Sequence, residues 1–345
     1  MQREYGIDFF KMFAMIMVVM LHIMGRGGVT AACAQESHSL HYVMEQLLET
    51  FCMSAVDCFV LATGYIMCRH EFKYSRIIKL WFEIVFYSLC ITAVAACFCP
   101  WAAITWRDWV KAMMPIGTNQ YWFVTMYVAL FFTMPFLNHL LKTLDKKNLT
   151  RLLLTGFILL SFYPAIAGKD LFCTHGGYSY LWFIYLYMVA GIIALHKDKV
   201  TIKLPVLIGG GVILPIMSLA LQVLSSSLSK TLGVSLGGWL GYSSPGIFAE
   251  AVVLLLVFSK IKIDNVIVAR LVGMVAPSVF SVYIVHDNPL FRNIFGWAGK
   301  FAPLAGLSTL GMVAGIVGCS VLVFVACVSL DILRRFVIRN LNVAR

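Results

Sequence analysis

The stretch Ile7-Asp8-Phe9-Phe10-Lys11-Met12-Phe13-Ala14-Met15-Ile16-Met17-Val18-Val19-Met20-Leu21-His22 decides the fold class. Only Asp8, Lys11 and His22 interrupt an apolar run that continues through Ile23 and Met24. Apolar runs of about 17–25 residues are the length an α-helix needs to cross a bilayer. Inside hydrocarbon only helices and closed barrels satisfy the backbone, and a barrel strand is about ten residues of strict alternation. Nine comparable runs follow, so ten spans are predicted near residues 8–25, 43–67, 78–98, 121–140, 150–167, 179–195, 203–225, 244–261, 272–290 and 306–333. Gly209, Gly210, Gly211 and Pro215 mark the seventh as the one expected to bend.

Composition agrees. The 345 residues are 61% hydrophobic and 12% charged, with mean hydropathy +0.87. A soluble domain carries roughly 25% charged residues and about half apolar ones, and no soluble fold of this length has enough interior to hide the surplus. Disorder, collagen, coiled coil and a secreted disulfide scaffold are excluded by the same numbers. The expectation is an all-α polytopic membrane protein, residues 1–345 forming a single transmembrane domain with no appended soluble domain. Met1 to Gln35 imitates a signal peptide, with the small-residue site Ala32-Cys33-Ala34, but Asp8 and Lys11 break its apolar core, so the first helix is expected to remain. The ten cysteines show no metal-ligand spacing and no metal is expected. A disulfide among Cys33, Cys97, Cys99 and Cys173 is open at this stage.

Loop charges set the orientation. With the N-terminus in the cytoplasm, twenty lysines and arginines fall inside, Lys199 and Arg345 among them, and seven outside. This bias favours both termini cytoplasmic. The net charge of +11 is therefore a topology signal that calls for no nucleic acid.

Ionisable groups within spans are costly and usually face a cavity. Lys11 and His22 are eleven residues apart, about three turns and 16 Å along one helix face. Asp57 lies mid-span in the second helix, ahead of the helix-loosening Thr63-Gly64-Tyr65. Glu250 sits in the eighth span, and Tyr283, His286, Asp287 and Asn288 close the ninth. A snorkelling lysine and a helix-bonded histidine would account for one such helix alone. Several such residues at matching depths point instead to an intramembrane polar site. Arg69, His70, Lys73, Arg76 and Lys79 form a basic loop that suits a polyanion such as phosphate, although the positive-inside rule also explains it. Trp101, Trp106, Trp109, Trp122, Trp182, Trp239 and Trp297 concentrate on the side assigned outside, as an uneven interfacial belt or a vestibule for sugar rings.

Together these residues resemble the integral-membrane acyltransferase-3 family, which moves acyl groups onto extracytoplasmic sugars. Its first helix reads as an acid, two apolar residues, Arg, ten residues, then His. Here that is Asp8-Phe9-Phe10-Lys11 followed by His22. Asp57-Cys58-Phe59-Val60-Leu61-Ala62-Thr63-Gly64-Tyr65, Lys73-Tyr74-Ser75-Arg76, Tyr121-Trp122-Phe123-Val124 and Ser281-Val282-Tyr283-Ile284-Val285-His286 resemble later family segments. Lys11 and Lys73 stand where the family often has Arg, and a lysine binds as a point charge rather than bidentately.

The resemblance implies a cytoplasmic acyl-CoA donor, acetyl-CoA first, and an extracytoplasmic or lipid-linked glycan acceptor, in the bacterial cytoplasmic membrane. It places Lys11, Asp8, Tyr65, Arg69, Lys73 and Arg76 with the donor, and Asp57, Trp122, Tyr283 and Asp287 with the acceptor. His22 is the expected general base, with Glu250 and His286 as further catalytic candidates. Asp8 is about 21 Å from His22 along the helix, too far to orient it. That partner must come from another helix: Glu250, Asp57 or the His286–Asp287 end. Direct transfer and an acyl-histidine intermediate both fit. The rival reading is a proton-coupled transporter or flippase, with Asp57, Glu250 and the histidines as a relay and the seventh span as a broken helix.

Overall fold

The computed structural model describes residues 3–36, 39–197, 201–233, 236–295 and 297–343; Lys199 and Arg345 lie outside them. In chain order the helices are α1 (Tyr5–Met24), α2 (Val29–Cys33), α3 (Leu40–Met53), α4 (Ala55–Met67), α5 (Ser75–Phe98) and α6 (Trp106–Met113). Then come α7 (Trp122–Thr143), α8 (Lys146–Phe157), α9 (Tyr163–Ala167), α10 (Tyr180–Leu195) and α11 (Leu204–Leu232). The chain ends with α12 (Pro245–Ser259), α13 (Val266–Val275), α14 (Val279–His286), α15 (Pro289–Phe295) and α16 (Thr309–Val343). Among the described residues there is no strand.

Among the described residues, eight helical stretches are long and apolar enough to cross a membrane, so the chain is a multi-pass membrane protein. The other two predicted positions hold α10 and α12, apolar helices of 16 and 15 residues. Both fall short of the roughly 20 residues of a straight crossing.

Several details differ from the sequence reading. The second span is broken at Ser54, between α3 and α4, where the Ser54 hydroxyl donates to the Phe51 carbonyl at 3.0 Å. Thr63-Gly64-Tyr65 does not loosen α4: the helix continues through it, and the glycine serves packing instead. The seventh span, which the transporter reading takes as a broken helix, is helical throughout Leu204–Leu232, Gly209–Gly211 and Pro215 included. The irregularity lies in the fifth span, where a π-helical turn, Ile158–Phe162, precedes Pro164. Proline offers no N–H and crowds the carbonyl four residues earlier, which a π turn relieves. All ten cysteines are free thiols.

The chain divides into two compact units, each assembled from separated segments. The first comprises Met1–Phe10, Leu47–Lys73 and Phe123–Lys262. Its centre is α10, apolar on every side, which explains why Trp182, Phe183, Leu186, Tyr187 and Ala190 are wholly buried. Gly64 lets α4 approach α10 closely, since a Cβ there would stand 2.6 Å from the Tyr187 carbonyl oxygen. Along α11, Val206, Val212, Ile213 and Val223 are exposed, as lipid-facing side chains are.

The second unit comprises Lys11–Gln46, Tyr74–Trp122 and Ile263–Arg345. Here α5, α14 and α16 are tied by polar bonds. Tyr87 donates to Asp331 at 2.8 Å, Arg334 and Arg335 flank that acid at 2.7 and 3.0 Å, and Ser281 donates to Glu83. The segment after α1 is pinned by the Phe301 N–H, which donates to the Gly27 carbonyl at 2.9 Å. Gly28, at φ 90°, faces the Gly299 backbone there. These ties hold the end of α1 against the region that follows α14.

Candidate active site

The second unit brings the two span histidines together. His22 occupies the last turn of α1, and His286 is the final residue of α14. His22 Nδ1 lies 2.9 Å from His286 Nε2. His286 Nδ1 lies 2.5 Å from the Val282 carbonyl oxygen. A carbonyl can only accept, so His286 Nδ1 carries the proton and its Nε2 accepts from His22 Nδ1–H. In the neutral pair this leaves His22 Nε2 as the bare lone pair, the atom able to take a proton.

A carboxylate stands beside the pair. Asp287 Oδ1 is 3.7 Å from His22 Nδ1 and the residue is 4% exposed. It accepts a hydrogen bond from Arg26 Nη1 and pairs with Arg292 Nη1 at 3.4 Å. One carboxylate thus faces two guanidiniums. Local charge is positive by one before any proton arrives, an arrangement that favours negative charge on whatever binds.

A supporting layer fixes the end of α14. Tyr121 donates to the Ile284 carbonyl at 3.1 Å and accepts from Asn288 Nδ2 at 2.7 Å. Asn288 Oδ1 accepts from the N–H groups of Leu290 and Phe291 at the start of α15. Trp297 packs against His286 with ring centroids 5.9 Å apart, and Tyr283 meets the same imidazole edge-on at 6.3 Å. Trp122, next to Tyr121, is half-buried at the start of α7.

Arg26, Arg292, Tyr121 and Trp297 were not among the sequence-derived site residues. Arg26 had a readable signal, since it follows His22 by one helical turn, although the helix has ended by then. Arg292 lies five residues after Asp287 and reads only as a loop charge.

Lys11 lies in the second unit on α1, three turns before His22, and Arg76 is the second residue of α5. The other donor-side candidates fall in the first unit. Asp8 accepts from Arg3 Nε at 2.6 Å. Lys73 is exposed in the segment between α4 and α5. Arg69 forks onto both Glu4 oxygens at 3.0 and 3.3 Å, and its guanidinium lies 4.6 Å over the Tyr65 ring. Lys197 adds a third contact to Glu4 at 3.3 Å. Burial alone would raise the Glu4 carboxyl, but the Arg69 bond and charge, with Lys197, hold it below its usual value. A phosphate reaching Arg69 competes with Glu4 for its guanidinium.

The buried acids also lie in the first unit. Asp57 Oδ1 accepts from Trp182 Nε1 at 2.9 Å, and Glu250 Oε1 lies 3.3 Å from Ser54 Oγ. The second oxygen of each carboxyl has no protein partner. Both residues are wholly buried. Trp182, which the sequence assigned to an interfacial belt or vestibule, is therefore a core residue holding Asp57. Of the three partners considered for His22, the His286–Asp287 end lies in the same unit and meets it.

No curated protein and no solved structure matches the chain. The model of the acyltransferase-3 family, described as an acyltransferase domain, matches residues 4–331, nearly the whole length. His22, His286 and Asp287 all lie inside that match, and the chain belongs to the acyltransferase-3 family of membrane acyltransferases.

Proposed function

We propose that this protein transfers an acyl group, acetyl first, from cytoplasmic acyl-CoA to a hydroxyl of an extracytoplasmic or lipid-linked glycan, with His22 as general base. The observation that carries the reading is the 2.9 Å contact between His22 Nδ1 and His286 Nε2, with Asp287 beside it. In the proposed step the acceptor oxygen attacks the thioester carbonyl while its proton passes to His22 Nε2. The charge developing on the carbonyl oxygen is met by the guanidinium surplus at Arg26 and Arg292. Collapse of the tetrahedral centre breaks the C–S bond, and the leaving thiolate takes the proton back from His22. Asp287 stabilises the transient imidazolium, and His286 holds its tautomer.

On this reading the protein sits in the bacterial cytoplasmic membrane, crossing it about ten times with both termini inside. The donor's phosphates approach Lys11 and Arg76 of the second unit; Lys73 and Arg69, in the first, remain donor-side candidates. The roughly 16 Å from Lys11 to His22 suits an extended pantetheine arm. Tyr283, Trp122 and Asp287 are the acceptor-side residues. The orphaned oxygens of Asp57 and Glu250 are the one observation that favours proton-coupled transport instead.

The test is acetyl-CoA binding and free-thiol release by the purified protein in nanodiscs, with membrane glycans and glycolipids supplied as acceptor. Wild type binds and releases thiol, Lys11→Ala binds more weakly, and His22→Ala binds without release. Absence of binding by folded wild type refutes the acyl-CoA reading and favours the transporter.

A further inference from the structure

A groove of about 550 Å³ lies on the second unit between α5 and α16, within the ~300–1,000 Å³ typical of ligand sites. Val285 of α14 and Phe291 of α15 complete its lining, and the proposed chemistry uses none of it. Phe86 and Val94 on α5 and Leu333, Val337 and Ile338 on α16 stand exposed along it, as does Cys90. Only Tyr87 and Arg334 of the lining carry oxygen or nitrogen in their side chains. Both are committed to Asp331, with Tyr87 Oη and Arg334 Nε each donating at 2.8 Å. The groove therefore offers a ligand apolar contact rather than hydrogen bonds, and walls bonded in advance lose little order on binding.

The two walls run antiparallel. Tyr87 of α5 bonds Asp331 of α16, and three residues further along α16, Arg334 reaches back to Glu83 at 3.6 Å. That register sets Ile338 level with residue 80 of α5, so the groove extends from there to Val94, roughly 20 Å by helical rise. A hydrocarbon chain of that length crosses one leaflet of a core about 30 Å thick.

One end of the groove is marked by charge. Lys79, which is exposed, precedes Phe86 by seven residues and Cys90 by eleven, spacings that set all three on one face of α5 at the level of Ile338. Glu83, an acid on the same face, is turned to Ser281 and Arg334 instead. Trp81, exposed two residues after Lys79, is of the kind that sits at the membrane–water interface. The positive-inside rule accounts for a lysine here, but not for an apolar groove that opens directly above it. A cation at the interfacial end of an apolar groove between spans matches an anionic headgroup with its chain.

We propose that this groove binds an anionic phospholipid, one acyl chain lying between α5 and α16 and the phosphate meeting Lys79. The site stands whether or not the protein releases thiol. Arg76, assigned above to the donor, lies one turn before Lys79, so the donor's own acyl chain is the rival occupant. The full chain, delipidated in neutral detergent, is titrated with phosphatidylglycerol and with phosphatidylcholine of the same chains. Native mass spectrometry counts the lipids retained, and the melting temperature follows saturation, since a ligand of the folded state raises it.

One phosphatidylglycerol is retained, at least tenfold more tightly than phosphatidylcholine. Lys79→Gln weakens phosphatidylglycerol about fivefold and leaves phosphatidylcholine unchanged. Cys90→Trp and Val337→Trp fill the groove from opposite walls, and each weakens phosphatidylglycerol at least tenfold. Val325→Trp, at an exposed position on the opposite face of α16, changes nothing. Equal retention of the two lipids overturns the proposal, as does a Lys79→Gln protein that binds like wild type. So does retention that survives both groove-filling variants. Displacement of the lipid by palmitoyl-CoA but not by acetyl-CoA gives the groove to the donor's chain and also overturns it.

Discussion

Asp287→Asn separates the charge of the histidine site from its packing. Asparagine keeps the size of the side chain and an oxygen that accepts from Arg26, so the end of α14 retains its contacts. What disappears is a negative charge 3.7 Å from His22 Nδ1. A full unit charge near that separation is worth about 4 kcal/mol at an effective dielectric of about 20. Arg26 and Arg292 share the same carboxylate, and assigning half the field to the imidazolium leaves about 2 kcal/mol. At about 1.4 kcal/mol per decade that is roughly a thirtyfold fall in kcat. The two guanidiniums left facing a protonated His22 push the loss further, toward the full 4 kcal/mol and roughly a thousandfold.

The assay is free-thiol release in nanodiscs, compared with His22→Ala, which loses about 10²–10⁴ by removing the base itself. Acetyl-CoA affinity stays within about twofold, because the charge acts on the imidazolium formed during transfer. Residues that act through one another are non-additive, so Asp287→Asn costs almost nothing in the His22→Ala background. A folded Asp287→Asn protein with wild-type turnover, or a double variant whose losses multiply, refutes the role given to this carboxylate.

Three further outcomes concern stability. Glu4 is held below its usual value of 4.5, so its contribution is complete above that value and is lost as pH falls through its folded-state value. Melting measured from pH 7 down to pH 3 shows a loss of about 1 kcal/mol, modest because the pair is partly exposed, and Glu4→Gln flattens that slope. Trp182→Phe keeps the ring but removes the N–H that serves Asp57, and the stranded carboxyl costs about 1–3 kcal/mol, read as a lower Tm. Adding Asp57→Leu recovers part of that loss, and a lower Tm in the double variant counts against the explanation. Gly64→Ala brings a methyl 2.6 Å from the Tyr187 carbonyl oxygen, so α4 and α10 must part at about 1–3 kcal/mol; an unchanged melt contradicts that packing.

The helices were readable because the bilayer imposes a length on each apolar run, and every predicted position holds one. Breaks within helices were not. Thr63-Gly64-Tyr65 reads as a weak point and is a packing seam, while Ser54, with no local signal, ends α3 through a hydroxyl that also reaches Glu250. The same limit governs the charges. Arg69 belongs to a basic loop by sequence, yet Glu4, 65 residues earlier, neutralises it. Arg26 and Arg292 read as stray loop cations, yet both converge on Asp287. Which charges cancel is a property of tertiary contact, invisible to composition. It also bears on mechanism more than the net +11 does. A site with two guanidiniums on one carboxylate holds a positive surplus before transfer and a larger one once His22 is protonated. Only the anionic tetrahedral centre offsets that surplus, so on the proposed mechanism the arginines lower the barrier while the neutral acceptor hydroxyl gains nothing from them on binding.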